Sequence, residues 1–269
     1  MPRRSWPLGL LALIVALPFF YMTSVSFMGE LELLRWPPPL LPRMPTLGNY
    51  IAAYEALPYP RVLLNTGVLA GCVMAAQVIT SAAAGYAFAR IRFPGRDGLF
   101  KVVVTLLTIP AILLLVPRYL LVNAAGLVDT YPGLISTELV SIWGILLMRQ
   151  TFLALPRDVE EAARLDGAGE WTLFWRVTLP LARPAVLVLA VLAFVEQWRN
   201  FLWPLVATHS PRMAVGEVAL ARLHAAYPGN WPYQMAAAVL VTVPVLLVCL
   251  LAQRYVMHGA RLTGARVRL

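Results

Sequence analysis

Long apolar runs separated by short polar segments dominate this sequence. A helix that crosses the hydrocarbon core of a membrane needs roughly 20 mostly apolar residues. Charged residues make up 13% of the chain, against about 25% in soluble domains, so too few charges remain to cover a water-facing surface. We therefore predict an all-α membrane protein with a single transmembrane domain over residues 1–269. Its six transmembrane helices are predicted at about residues 8–28, 62–89, 100–122, 133–153, 184–207 and 234–256.

Two of these spans carry further signals. Arg3 and Arg4 precede the first apolar run, as in a cleaved signal peptide, but the run is longer than the apolar core of a signal peptide. We therefore predict a retained first helix. The third span contains Pro110 and Pro117. Because proline removes a backbone donor and clashes with the preceding turn, we expect this span to be kinked.

Positive charge is distributed unevenly along the chain. The net charge is +9, and most of the 22 lysines and arginines lie in short segments between apolar runs. That pattern is typical of loops that follow the positive-inside rule, and it argues against nucleic-acid binding. If the N-terminus is cytoplasmic, the predicted cytoplasmic segments hold the large majority of these cations. Both termini and the polar segment 155–183 are therefore predicted to lie in the cytoplasm.

The sequence shows no arrangement of residues that predicts a metal site or a catalytic site. Cys72 and Cys249 lie in apolar runs, and His209, His224 and His258 are scattered without ligand-like spacing. The phosphate-binding pattern G-x4-G-K-[ST] is absent from the chain. We therefore predict a subunit that is not itself an enzyme, with no catalytic residues, no metal and no cofactor.

The longest predicted cytoplasmic segment should form two short helices. Asp158 and Glu161 have the spacing of a capping box, with aspartate at the cap position. A first helix is therefore predicted over residues 159–165, and we expect it to stop at Gly167. A second helix should follow the glycine and end at Pro180, because proline cannot continue a helix.

Small and acidic side chains are concentrated in this segment. Small side chains let another protein approach closely, and acidic ones can form ion pairs at the edge of a contact. The alternative is a connector that touches only lipid, but a lipid-surface helix is usually more basic than this balanced segment. The composition therefore favours docking to a soluble partner, without excluding the lipid contact. The residues concerned are Glu160, Glu161, Ala162, Ala163, Asp166, Gly167 and Ala168.

The same segment resembles the E-A-A-x3-G-x9-I-x-L-P signature of permeases from ABC importers, with valine in place of isoleucine. The matching residues are Glu161, Ala162, Ala163, Gly167, Val177, Leu179 and Pro180. With Asp166 and Phe174, it is similar to the carbohydrate branch, the maltose-type permeases. In that family the segment is a coupling helix that sits in a cleft of the cytoplasmic ATPase. The resemblance therefore implies a coupling role for Glu160, Glu161, Ala162, Ala163, Asp166, Gly167, Ala168 and Pro180.

Further motifs extend this resemblance over nearly the whole chain. Residues 87–95 resemble the pattern A-F-A-R-x-x-F-P-G, and residues 126–130 resemble G-L-x-[ND]-T. Residues 198–205 resemble W-N-x-F-x-x-P-L, but Arg199 stands at the usual asparagine position. The family implies a type I ABC importer (MetI-like) permease fold in a bacterial or archaeal plasma membrane. It also implies a second homologous permease, an ATPase dimer that uses the ATP, and an extracytoplasmic sugar-binding protein.

Polar residues interrupt the fifth predicted span about halfway across the membrane. Charged groups in this environment are costly unless they face protein or water. In one interpretation Glu196, Trp198 and Asn200 line the substrate path, since hydrogen-bonding and aromatic side chains suit a sugar. In the other, Glu196 and Arg199 form a structural ion pair. Asn65, Gln77, Asn123 and Glu138 are weaker candidates for the path and are expected to contact other helices.

Two other kinds of transporter stay open at this point. An ABC permease could carry a non-sugar substrate, such as glycerol phosphate or a peptide. A secondary transporter would need no ATPase, but it more typically shows internal repeats or broken helices in corresponding halves. The sequence therefore predicts a sugar or oligosaccharide permease of an ATP-driven, binding-protein-dependent importer.

Overall fold

The structure is a computed structural model that describes residues 6–264, and all the regular elements in that range are helices. The four cations Arg3, Arg4, Arg266 and Arg268, which contribute to the predicted orientation, lie outside the described residues. The helices are α1 (Trp6–Ser26), α2 (Glu30–Leu33), α3 (Gly48–Ala56), α4 (Tyr59–Arg90), α5 (Arg96–Thr105), α6 (Leu115–Ala124), α7 (Tyr131–Ser136), α8 (Ile142–Ala154), α9 (Asp158–Leu165), α10 (Glu170–Leu181), α11 (Arg183–Trp198), α12 (Leu202–Ala207), α13 (Gly216–Ala226) and α14 (Trp231–Gly264). This composition agrees with the predicted all-α class.

The helices differ in whether they can cross a membrane unbroken. Within the described part of the chain, α1, α4 and α14 are long and apolar enough to do so. Two further candidate spans are bent pairs, in which α5 is followed by α6 and α10 by α11. Helix α8 is apolar but shorter than a full span. By length and composition, the structure therefore holds three to five spans, with α8 at the position of the fourth predicted one.

The third predicted span, 100–122, is broken rather than merely kinked. Its two halves meet at 94°, with short 3-10 turns at Leu106–Thr108 and Ala111–Leu114 on either side of the break. Pro110 stands at the break, where its missing N–H interrupts helical hydrogen bonding. Pro117 causes no second break, because it lies in the first turn of α6, where the backbone N–H groups have no partner within the helix.

The fourth and fifth predicted spans are also interrupted, so neither 133–153 nor 184–207 is one continuous helix. Between α7 and α8 the chain turns, and the Ser141 hydroxyl then accepts a hydrogen bond from the Gly144 N–H at 3.1 Å. This cap starts α8 as a new helix. Residues 199–201 separate α11 from α12. Pro204 has no N–H to bond the carbonyl of Asn200, which prevents a continuous helix there.

The described residues form two compact units. The first contains residues 6–64 and 214–246. Its core packs Tyr59, Leu223 and Tyr233 with two alanines and a valine, and the Tyr59 hydroxyl donates to the carbonyl oxygen of Ala237 at 2.9 Å. That bond satisfies the one polar group of a side chain that is otherwise enclosed by apolar neighbours.

The second unit contains residues 65–213 and 247–264, and the sites considered below lie within it. In this unit α4 packs closely against α8. A Cβ atom on Gly85 would lie 2.7 Å from Cβ of Met148, and one on Gly144 would lie 2.4 Å from Oγ of Ser81. Glycine at these two crossings therefore lets the helix backbones approach, as is common between membrane helices.

Candidate functional site

The predicted cytoplasmic segment forms two helices, α9 and α10, that turn at Gly167. This glycine has φ +85°, in the left-handed region that favours glycine. The Gly167 N–H bonds the Arg164 carbonyl, and the Ala168 N–H bonds the Ala163 carbonyl, each at 3.0 Å. These two bonds form a Schellman motif, which ends α9 where the sequence predicts. Because the sequence resemblance implies a coupling role for residues 155–183, we call this segment the coupling loop.

Two local predictions about the coupling loop are wrong. Asp158 is the first residue of α9, and Arg157 precedes it without a side-chain cap, so the capping box does not form. Pro180 does not end the second helix. A π turn over Leu173–Thr178 widens the helix upstream, and the chain continues through Pro180 to a 79° bend before α11. The bend comes at Ala182, whose N–H bonds the carbonyls of the preceding turn.

The coupling loop is anchored to the base of α4 and α8 by aromatic packing. The Tyr86 ring lies 5.8 Å from Phe152, edge to face, and 5.1 Å from Phe174. The Tyr86 hydroxyl also donates to Oε2 of Glu170 at 3.2 Å, and Arg164 forms an ion pair with the other oxygen of the same carboxylate at 2.7 Å. Aromatic pairs of this geometry add to the effect of burial, so they hold the loop in a fixed position on the second unit.

The predicted coupling residues fall into two groups with opposite environments. Glu160 is buried and forms an ion pair with Arg90 at 3.1 Å. Ala163, Ala168 and Pro180 are half-buried. The exposed members are Glu161, Ala162, Asp166 and Gly167. The loop therefore presents an exposed face that combines small and acidic side chains with the exposed Arg164, and its other face packs on its own chain.

Large apolar side chains flank that exposed face. Leu165 is 90% exposed and Trp171 is 76% exposed, and Val159 is also largely exposed. Exposed apolar side chains that are surrounded by polar ones are typical of protein contact surfaces. The face can therefore bind a partner through apolar contacts with Glu161 and Asp166 at its edge. We call this surface, around Glu161 and Leu165, the docking face.

A second candidate site lies where the helices of this unit are interrupted. A cavity of about 890 Å³ borders the break at Pro110, the start of α8 and the end of α11. A smaller cavity of about 400 Å³ shares Ala111, Glu196 and Arg199 with it. We refer to the two together as the polar cavity. Its polar lining residues are Gln77, Arg118, Glu138, Ser141, Glu196, Gln197, Arg199 and Asn200.

An ion pair between Arg118 and Glu138 forms one wall of the polar cavity. Arg118 also donates to Oγ1 of Thr137 at 2.8 Å, and its guanidinium lies 4.5 Å from the Trp203 ring centre. Gln197 donates to Glu138 at 3.3 Å. These contacts compensate both charges in a largely buried position. Sequence reasoning did not predict this pair, although opposite charges in two neighbouring apolar runs were a signal for it.

The predicted path residues Glu196, Trp198 and Asn200 do not share one environment. Glu196 and Asn200 line the polar cavity. Trp198 is 5% exposed, and its ring packs on Phe194 with the ring centres 5.5 Å apart. Arg199 lines the cavity beside Glu196, but this pair is not among the ion pairs found in residues 6–264. Glu138 forms the charged contact with an arginine instead.

Of the weaker candidates, Asn65 contacts another helix, and Gln77 contacts the segment between α7 and α8. Asn65 donates to the carbonyl of Arg212 at 2.8 Å and accepts from the Tyr131 hydroxyl at 2.5 Å. Gln77 donates to the carbonyl of Glu138 at 2.8 Å. These hydrogen bonds connect separate segments of the second unit. Gln77 also borders the polar cavity.

A separate polar contact fixes the loop between α6 and α7. Asp129 has φ 62°, a conformation that aspartate tolerates better than most residues. Its Oδ1 accepts hydrogen bonds from the N–H groups of His209 at 3.0 Å and Ser210 at 3.1 Å. Partial burial raises the pKa of the Asp129 carboxyl, but the hydrogen bonds from Ser210 and His209 outweigh it and hold that pKa below its usual value.

Comparison with known proteins places these features in a family. Residues 67–261 match the family described as "Binding-protein-dependent transport system inner membrane component". The sn-glycerol-3-phosphate transport system permease protein UgpE of Rhizobium meliloti is 31% identical over 92% of this chain and 91% of its own. The arabinooligosaccharides transport system permease protein AraQ of Halalkalibacterium halodurans is 32% identical over 98% of each chain. A probable ABC transporter permease protein of Pyrococcus horikoshii is 34% identical over 95% and 93%.

Solved structures share the fold. A chain from a bacterial ABC transporter that imports the acidic polysaccharide alginate superposes with a TM-score of 0.80. It is 23% identical, with 93% of this chain and 94% of that chain covered. A chain from an alginate transporter bound to its pentasaccharide-loaded periplasmic protein superposes with a TM-score of 0.67 at 18% identity, with 93% of each chain covered. The similarity confirms the predicted fold of importer permeases.

Proposed function

Since this chain belongs to the family of inner membrane components of binding-protein-dependent transport systems, and is therefore a permease subunit, we propose that the substrate of its importer is an uncharged sugar or oligosaccharide. The polar cavity is the path that this substrate takes through the subunit. The observation that carries the proposal is the composition of the cavity wall, which combines hydrogen-bonding groups with a balance of charge.

The charges in the wall cancel. Arg118 and Arg199 face the cavity together with Glu138 and Glu196, so no net charge is offered to an ionic substrate. Ser141, Gln197 and Asn200 add donors and acceptors of the kind that bind hydroxyl groups.

Glycerol phosphate is the second candidate substrate, because UgpE is named for its transport. An anion would require an arginine that is not neutralised by a neighbouring carboxylate. Of the two arginines in the cavity wall, Arg199 is the better candidate to bind an anion, since Arg118 already pairs with Glu138. The two substrates therefore make opposite demands on Arg199, and this residue separates them in an experiment.

The docking face of the coupling loop is where this subunit contacts its energy source. We assign a cytoplasmic ATPase dimer as the partner, since the docking face combines exposed small and charged side chains with exposed apolar ones. The ATP is bound and hydrolysed by that dimer. A second, homologous permease completes the path, and an extracytoplasmic sugar-binding protein delivers the substrate. Closure of the ATPase dimer moves the docked loops, and the two permeases then open alternately to each side.

This assignment requires the coupling loop and both termini to be cytoplasmic. Single cysteines introduced as Glu170→Cys and Leu40→Cys test the orientation, because both side chains are exposed. In a background without Cys72 and Cys249, a membrane-impermeant thiol reagent should label position 40 from outside the cell and position 170 only after the membrane is opened. Labelling of position 170 in intact cells would contradict the orientation.

Competition for uptake tests the substrate. The importer is assembled from this chain and its partner subunits in vesicles, and ATP-dependent uptake of a labelled neutral oligosaccharide is measured. Excess unlabelled neutral sugar should compete, and glycerol 3-phosphate should not. With Arg199→Gln, neutral uptake should persist, because the cation is not needed for a hydroxyl-bearing substrate. Competition by glycerol phosphate that is lost with Arg199→Gln would favour the second candidate instead.

A further inference from the structure

Two adjacent glutamates of α9, Glu160 and Glu161, face opposite environments. Glu161 is exposed on the docking face. The Glu160 side chain is 8% exposed and contacts the end of α4. Adjacent residues on an α-helix point about 100° apart, so one helix can present a carboxylate to a partner and another to its own chain. The resemblance to the permease signature gives both residues one role, but the structure separates them.

The environment of Glu160 is a closed polar cluster. Oε1 of Glu160 lies 3.1 Å from Nε of Arg90, whose side chain is 3% exposed, and 3.2 Å from the Thr178 hydroxyl, which donates to it. The Arg90 Nη2 donates to the carbonyl of Leu155 at 2.8 Å. The cluster therefore joins α4 to three points of the coupling loop, at its start, in α9 and in α10.

Buried ion pairs contribute little net stability, since the cost of removing two charges from water is comparable with their attraction. What such a pair does impose is a defined relative position, because each charge is strongly destabilised without the other. The apolar packing around Tyr86 already attaches the loop to the unit. The pair of Arg90 and Glu160 therefore fixes where the loop sits against the last turn of α4.

Helix α4 continues from this cluster to the polar cavity. Gln77 lies 13 positions before Arg90 on the same helix, a distance of roughly 20 Å along its axis. The intervening residues include no proline, so the helix is uninterrupted between the two points. Gln77 borders the cavity and donates to the carbonyl of Glu138, the residue that pairs with Arg118. A rigid element thus connects the loop to the cavity wall.

We propose that Arg90 and Glu160 form a positioning pair that transmits movement of the docked coupling loop along α4 to the polar cavity. Glu160 thus acts through Arg90 and does not bind the ATPase. This inference rests on the proposed function, because it requires a loop that a partner moves. Removing the charge of the pair should then leave docking in place and reduce the amount of substrate moved for each ATP hydrolysed.

The test uses the assembled importer in vesicles, with two measurements on each variant. The first is the amount of ATPase that co-purifies, and the second is neutral sugar imported per ATP hydrolysed. Glu160→Gln should retain the ATPase but lower sugar per ATP about tenfold, a coupling loss of ordinary size for linked sites. Glu161→Gln should instead reduce the ATPase recovered. Arg96→Gln is the matched control, because it removes a partly exposed ion pair with Asp97 outside the coupling loop, and it should change neither quantity.

A second variant distinguishes a loss of coupling from misfolding of the first variant. Glu160→Gln leaves Arg90 buried without a counter-charge, so the double variant Arg90→Gln with Glu160→Gln is measured beside it. The double variant should retain as much ATPase as wild type, and it should still import less sugar per ATP hydrolysed. Normal sugar per ATP in both variants would overturn the positioning pair, as would a loss explained fully by less assembled complex. A wild-type importer that moves no neutral sugar would contradict the proposed function instead, whatever the variants do.

Discussion

The coupling loop and the polar cavity are built in opposite ways. The loop is a local structure, since α9, the turn at Gly167 and α10 follow one another within 155–183. The cavity is assembled from residues that lie far apart in the sequence, from Gln77 in the middle of α4 to Asn200 after the end of α11. Local structure follows from short-range patterns, whereas a wall made from several interruptions depends on packing. The loop could therefore be recognised from the sequence, and the cavity only in part.

The two regions should respond differently to substitution. In the loop, the backbone conformation at Gly167 sets how α9 and α10 are oriented relative to each other. In the cavity, partners from different helices compensate each other, so a single change leaves a charge or donor without its partner. The following experiments, ordered by expected effect, test whether this difference holds.

The largest effect should come from breaking the cavity pair. Glu138→Leu leaves the Arg118 guanidinium in a largely buried position without its carboxylate, so we expect a loss of about 3 kcal/mol in the free energy of unfolding. Thermal unfolding of the purified chain in detergent measures it. The double variant Arg118→Leu with Glu138→Leu should recover much of the loss, because it leaves no uncompensated charge. Equal losses in the single and double variants would show that the pair is not coupled.

A smaller effect should follow from changing the loop turn. Gly167→Val places a branched side chain at φ +85°, which costs about 1–2 kcal/mol in the left-handed region. The control is Gly167→Asn, since asparagine tolerates this conformation and the space around the position is open. ATPase co-purification should fall for valine and be nearly retained for asparagine. Equal losses for both would indicate that the turn requires a small side chain for contact, and not a left-handed backbone.

A contrast within the polar stretch of α11 should sharpen the assignment of the path. Asn200→Ala removes a hydrogen-bonding group from the cavity wall and its bond to Gln197, so uptake should weaken by about 1 kcal/mol, or roughly fivefold in apparent affinity, with only a small fall in the melting temperature. Trp198→Ala should instead act mainly on stability. It should lower the melting temperature, because the ring is buried against Phe194. A change in uptake affinity without a change in melting temperature for Trp198→Ala would restore its role as a sugar contact.

The smallest effect should appear at the Asp129 loop, as a dependence on pH. The pKa of Asp129 is lowered in the folded protein by hydrogen bonds from Ser210 and His209. The ionised carboxylate therefore stabilises the fold at pH values above its unfolded pKa of about 3.9, and this stabilisation is lost as the pH falls through the lower folded pKa. Asp129→Asn should reduce stability at pH 7 by under about 1 kcal/mol, because the group is near solvent.

Measurements of the melting temperature over a pH series check this last point. The difference between wild type and Asp129→Asn should be constant near neutral pH and shrink towards zero in acid. Asparagine is the suitable replacement, since it keeps the tolerance for φ 62° while removing the charge. A difference that grows in acid would contradict the assigned direction of the pKa.

The sequence predicts the helical class, the long apolar helices α1, α4 and α14, and the turn at Gly167, because long apolar runs and a left-handed glycine are local signals. It does not predict that Ser141 restarts a helix or that Trp198 is buried, since both depend on neighbouring helices. The ion pair of Arg118 and Glu138 was missed for the same reason. The predicted capping box at Asp158 is wrong, because a capping residue must precede the helix and α9 already begins at Asp158.

The most direct test of the central claim, that the docking face couples this permease to an ATPase, is ATP-dependent sugar uptake by the vesicle-reconstituted importer with Glu161→Lys. This exposed residue lies on the docking face and not in the core, so the variant should insert in the membrane in normal amounts. We predict that it fails to retain the ATPase and that uptake is abolished, because the charge at the edge of the contact is reversed. Wild-type uptake at normal abundance of the variant would contradict the account.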